Sequence, residues 1–138
     1  MIDFYSETAF TIDKADAIRE WISETILQES CQQGDITYVF CDDSYLSKLN
    51  VQFLGHDTLT DIISFDNSLG IQIHGEIYIS VERVIENAKT YGVSFSEELH
   101  RVLIHGILHF CGYKDKTDGD QERMTQKENE ALARRLFV

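Results

Sequence analysis

A chain of 138 residues is long enough to bury a core of its own without disulfide support. With 43% hydrophobic and 26% charged residues it falls outside the range of disordered chains. Its formal net charge of −12 repels polyanions over most of the surface and argues against DNA as a partner.

Taken in chain order, Ile2–Ser6 reads as a short strand. A helix is expected from about Lys14 to Glu29, because Ala15, Ile18, Trp21, Ile22 and Ile26 recur at helical spacing. The β-branched and aromatic stretch DITYVFC (35–41) reads as a strand, and DDSYLSKLNVQFL as a helix opened by an aspartate N-cap. GHDTLT is a turn. DIISF (61–65) and IQIHGEIYIS (71–80) are expected to pair around NSLG, with Ile71, Ile73, Gly75, Ile77 and Ile79 on the buried face. A helix near Val81–Tyr91 should stop at Gly92, and Ser94 with Glu97 has the spacing of a capping box for the next, about 95–111. Apolar residues surround that helix, so it should be central and covered on several sides. A last helix, about 119–136, is expected to pack through Met124, Ala131, Leu132 and Leu136.

Proline is absent and there is no repeat or flexible linker, so residues 1–138 are expected to form a single domain. No apolar run approaches the ~20 residues of a membrane span, and MIDFYSETAF lacks the basic start and apolar block of a secretory signal. A cytoplasmic location without membrane contact is expected. Cys31, Cys41 and Cys111 show no CxxC spacing and read as small apolar filler in a reducing compartment.

The stretch HGILHFCGYKD (105–115) carries the chemistry. On a helix, His105 and His109 point the same way one turn apart and can share a metal ion. Gly112 can adopt a positive φ, end the helix and let Asp115 swing back as a third ligand. Two imidazoles and a carboxylate leave a tetrahedral zinc ion one open position, the pattern of a catalytic site. Two histidines on an apolar helix also occur as hydrogen-bonded core residues, but the glycine and carboxylate in register favour metal. The spacing is that of the zinc-protease motif HExxHxxGxxH, with Asp115 in the last place. Gly106 stands where that motif has its general base, which argues against proteolysis. Charge points to the same region: residues 1–100 carry 5 Lys and Arg against 18 Asp and Glu, whereas residues 101–138 carry 7 against 6. Arg101 lies one turn before His105 on the same face, and Lys114 and Lys116 flank Asp115, so these three are the candidate phosphate-binding cations. His74 and Glu76 read as surface positions, Thr60, Asp61 and Ser64 as shaping a turn and strand entry, and His56 and His100 lack partners in the sequence.

HGILHFCGYKD resembles the HGxLHxxGYDH pattern of the YbeY family of endoribonucleases, also called rRNA maturation factors. It matches at His105, Gly106, Leu108, His109, Gly112 and Tyr113. LNVQFLGHDTLTDIISF (49–65) is similar to the family segment LNxxYRxxDxxTDVLSF, HGEIYIS (74–80) to its GDIxIS strand, and Met124 and Glu128 fall where the family has its terminal ME helix. The resemblance implies an α+β fold with a small mixed sheet, and a metal-dependent endoribonuclease that cuts single-stranded RNA in maturation of small-subunit ribosomal RNA, with the ribosomal small subunit as partner. It also implies one Zn2+ held by His105, His109 and Asp115 to activate water. Two departures from the pattern matter: Asp115 replaces the usual third histidine, and Leu54 replaces an arginine that contacts substrate phosphate. A hydrolase of another substrate, such as a peptidase, and a non-catalytic assembly factor braced by zinc are the alternatives that remain open at this stage.

Overall fold

The computed structural model describes residues 1–55 and 59–138. Its elements, in order, are β1 (Ile2–Ser6), α1 (Ala15–Gln28), β2 (Gln32–Cys41), α2 (Asp43–Leu49), β3 (Ile62–Asp66), β4 (Gln72–Ser80), α3 (Val81–Tyr91), α4 (Phe95–Phe110) and α5 (Asp118–Ala133). The strands form one mixed sheet in the order β1-β2-β4-β3; β1 and β4 run parallel to β2, and β3 runs antiparallel to β4. This is the α+β architecture implied by the family resemblance.

Period-two alternation sorts the two faces of the sheet. Ile36, Tyr38 and Phe40 of β2 and Ile73, Ile77 and Ile79 of β4 are fully buried against α1 and α4. On α4, Leu103, Ile104, Ile107 and Leu108 are fully buried, so the helix is covered on several sides. Two hydrogen bonds tie these layers together: Tyr38 Oη donates to the Leu103 carbonyl at 2.8 Å, and Trp21 Nε1 to the Ala131 carbonyl at 2.8 Å. Burial holds the Tyr38 phenol well above its ordinary pKa, so it stays a donor.

Caps fix the helix starts. Asp42 accepts from the Tyr45 amide at 2.8 Å, Ser94 from the Glu97 amide at 3.1 Å, and Thr117 forms a reciprocal capping box with Asp120. The end of α2 widens into a π turn over Asn50–Leu54 before Gly55.

Three expectations need correction. β2 begins at Gln32 rather than Asp35: Gln32 and Gln33 pair with Gln72 and Ile73, and an irregularity between Gln33 and Ile36 hides this start in a polar sequence. Ile71 precedes β4 and is 57% exposed. Leu136 is 96% exposed, because α5 ends at Ala133 and the chain leaves the helical path; Phe137 packs instead on Trp21 and His100. Half of the turn expected at GHDTLT, residues 56–58 and with them His56, lies outside the described residues.

Candidate metal centre and cleft

Gly106 sets the depth at which α4 lies on the sheet. A Cβ there would stand 2.8 Å from Ile77 Cδ1 and 3.3 Å from Ile62 Cδ1, so the missing side chain lets the histidine-bearing turn seat closely on β3 and β4. At its C-terminus α4 closes with a Schellman arrangement: the Tyr113 amide donates to the Leu108 carbonyl and the Gly112 amide to the His109 carbonyl, both at 3.0 Å. Gly112 has φ 105° and nothing near where its Cβ would be, so the backbone conformation rather than space demands glycine. This reversal returns Asp115 to the histidines.

Nε2 of His109 stands 3.0 Å from Nε2 of His105 and 3.1 Å from Oδ2 of Asp115; His105 Nε2 to Asp115 Oδ2 is 3.4 Å. Ligands about 2.0–2.1 Å from a tetrahedral ion are about 3.3 Å apart, so this triangle matches the size of a divalent-metal site. The other ring nitrogens decide which atoms carry protons. His109 Nδ1 is 2.9 Å from the Tyr113 carbonyl, which only accepts, and His105 Nδ1 is 2.7 Å from the Glu128 carboxylate. Both Nδ1 atoms therefore donate, and in the neutral rings both Nε2 atoms are bare lone pairs facing a carboxylate oxygen. Three acceptors so close repel one another unless a cation lies among them, so the donor set fits a metal ion.

Beside this triangle opens a cleft of about 590 Å³, walled by Thr60, Asp61 and Ser64 around β3, by Arg101, His105 and His109 on α4, and by Glu128 on α5. Burial is the main cause that raises the Glu98 carboxyl, also at the cleft wall, to about 7, with help from the charge of Asp61. Asp61 is raised in the same direction by burial. At His105 burial disfavours the imidazolium, but the Glu128 hydrogen bond and the carboxylates of Glu128, Asp115 and Asp61 outweigh it and raise the pKa.

His105, His109 and Asp115 thus meet at one point. Arg101 lines the cleft with its guanidinium already engaged: Nη1 donates to Glu128 Oε1 at 2.9 Å and Nη2 to Asn129 Oδ1 at 2.8 Å. Lys114 and Lys116 are exposed on the loop around Asp115, outside the cleft wall. His74 lies elsewhere, its Nδ1 accepting from the Asp35 amide at 3.0 Å, and Glu76 accepts from Tyr78 Oη. His100 is buried with its Nδ1 against Arg135 Nη1 at 2.8 Å. Leu54 is 45% exposed on the π turn.

Two residues escaped a reading based on the HGILHFCGYKD stretch. Glu128 lies on the same helical stripe as Met124, Ala131 and Leu132, and a carboxylate in a buried stripe is a signal the sequence did contain. Asp61 reaches the cleft only because β3 pairs with β4 and approaches α4, which no local pattern discloses.

The family model described as Endoribonuclease YbeY matches residues 2–135. Relatives named Endoribonuclease YbeY include one from Flavobacterium johnsoniae, 57% identical over 133 residues and covering 96% of both chains. Another, from Christiangramia forsetii, is 55% identical over 132 residues, covering 96% of this chain and 92% of its own. Among solved structures, the solution structure of TM1509 from Thermotoga maritima superposes with a TM-score of 0.67 at 29% identity, covering 96% of this chain and 87% of its own. With a match along nearly its whole length and a cleft built on HGILHFCGYKD, the chain belongs to the YbeY endoribonuclease family.

Proposed function

We propose that residues 1–138 form one metal-dependent hydrolase domain that cuts phosphodiester bonds of single-stranded RNA, acting on precursor small-subunit ribosomal RNA at the ribosomal small subunit in the cytoplasm. The observation that carries this reading is the convergence of three lone-pair donors, His105 Nε2, His109 Nε2 and Asp115 Oδ2, at the edge of an open cleft. The endoribonuclease name of the relatives supports RNA as substrate.

Those three residues would hold a divalent cation, with zinc the best fit to two imidazoles and a carboxylate. Such an ion supplies Lewis acidity, making a water molecule acidic at neutral pH and drawing charge from the scissile phosphate. Asp115 in place of a third imidazole lowers the net positive charge of the site. Arg101 offers its remaining N–H donors to a phosphate oxygen from the cleft wall, while Lys114 and Lys116 bind flanking phosphates from the loop. The raised Glu98 and Asp61 carboxyls matter for access. Glu98, titrating at about 7, is largely protonated below that pH, which reduces the repulsion an entering phosphodiester meets.

Replacing His109 by alanine and assaying metal content and cleavage of a single-stranded RNA together tests the reading. Loss of both is expected; retention of both would overturn it.

A further inference from the structure

We propose that Glu128 is a positioning residue that couples the metal ligand His105 to the guanidinium of Arg101, so that one carboxylate sets the geometry of both metal and phosphate binding. This rests on the metal-dependent nuclease reading above. Glu128 projects from α5 with only 8% of its side chain exposed. Both oxygens are engaged with the cleft: Oε2 takes the Nδ1 proton of His105 at 2.7 Å and Oε1 takes Arg101 Nη1 at 2.9 Å.

Each bond has a directional consequence. Accepting from Nδ1 fixes the His105 tautomer, leaves Nε2 free to face the site and makes the imidazole a stronger donor to a cation. Holding Nη1, while Asn129 Oδ1 holds Nη2 at 2.8 Å, fixes the plane of the guanidinium; two of its five N–H groups are spent and three remain for an anion. A carboxylate among the buried residues of α5 is costly where packing alone is required, since an apolar residue of similar volume serves packing better. Its two partners are a candidate metal ligand and a candidate phosphate-binding cation, which gives the buried charge a function.

The test compares Glu128→Gln, Arg101→Ala and His109→Ala by zinc affinity in competition with a chromogenic chelator, by the visible spectrum of the cobalt-substituted protein, and by KM and kcat on a single-stranded RNA oligonucleotide. Glu128→Gln keeps the shape but loses one acceptor, and is expected to weaken zinc binding about 10–100-fold, alter the cobalt spectrum and raise KM. Arg101→Ala is expected to raise KM with zinc affinity held within about threefold, below the about 10–100-fold effect expected of Glu128→Gln. Zinc affinity, cobalt spectrum and KM all unchanged in Glu128→Gln would overturn the coupling. If Glu128→Gln does not fold, the same readouts on Glu128→Asp, whose shorter side chain cannot reach both partners, decide the matter. Loss of zinc in His109→Ala with an unaffected Glu128→Gln sinks the coupling alone, whereas zinc retained in His109→Ala sinks the underlying reading.

Discussion

At the scale of single residues, the site depends on which nitrogen of each histidine carries a proton. The Tyr113 carbonyl and the Glu128 carboxylate both settle that choice in favour of a bare Nε2. Tyr113 is itself held: its hydroxyl donates to Glu29, and Lys127 and Arg123 lie 5.8 Å from its ring centre. Asp115→His, which restores the third imidazole of the family pattern, is expected to keep one divalent ion per chain and to bind it at least as tightly. Asp115→Ala should lose at least tenfold in zinc affinity; a chelator titration of both variants checks this, and equal affinity in the two would show that position 115 is not a ligand. Gly112→Ala must place a side chain at φ 105° and should cost about 1–3 kcal/mol in denaturant unfolding, with weaker metal binding because the return of Asp115 depends on that turn.

At the scale of elements, α4 organises the molecule, carrying both deeply buried apolar residues and two candidate metal ligands, His105 and His109. Its buried His100 has a predictable pH signature. Burial first, then the Arg135 guanidinium, push its pKa down from an ordinary 6.5 to about 4. The unfolded chain therefore binds a proton below 6.5 that the folded chain refuses until about 4. The resulting stability is complete above 6.5 and is lost as pH falls from there to about 4, on the order of 2–3 kcal/mol. Urea unfolding at pH 7 and pH 4.5 should show this extra loss in the parent but not in His100→Gln; identical pH dependence in both would contradict it. The helices and the hairpin were legible in the sequence because their caps and periodicities are local, as at Asp42, Ser94 and Gly92. The start of β2 was not, since Gln32 and Gln33 enter the strand only through pairing with β4. Leu136 misled for a related reason: helical periodicity was carried three residues past the point where α5 stops.

For the whole molecule, the balance of charge is the main constraint on binding RNA. The N-terminal portion is acidic, and among the described residues Arg101 is the one lysine or arginine on the cleft wall, with Lys114 and Lys116 exposed on either side of Asp115 in the chain. Three phosphate contacts on a single strand imply a log–log salt slope of about −2. Fluorescence anisotropy across a salt series measures it, and a slope several times steeper would mean that a larger basic surface takes part. The convergence of His105, His109 and Asp115 was legible because three of the features that build it, two histidines one turn apart and a glycine at the bend, lie within eight residues. The groups that surround it, Glu128 on α5 and Asp61 just before β3, come from distant parts of the chain and required the tertiary fold. The most direct test is anomalous diffraction at the zinc edge from crystals grown with the metal. A single peak about 2.0–2.3 Å from His105 Nε2, His109 Nε2 and Asp115 Oδ2 is expected. A site without a peak at saturating zinc, with the two Nε2 atoms joined by a hydrogen bond instead, would contradict the metal centre on which the proposed chemistry depends.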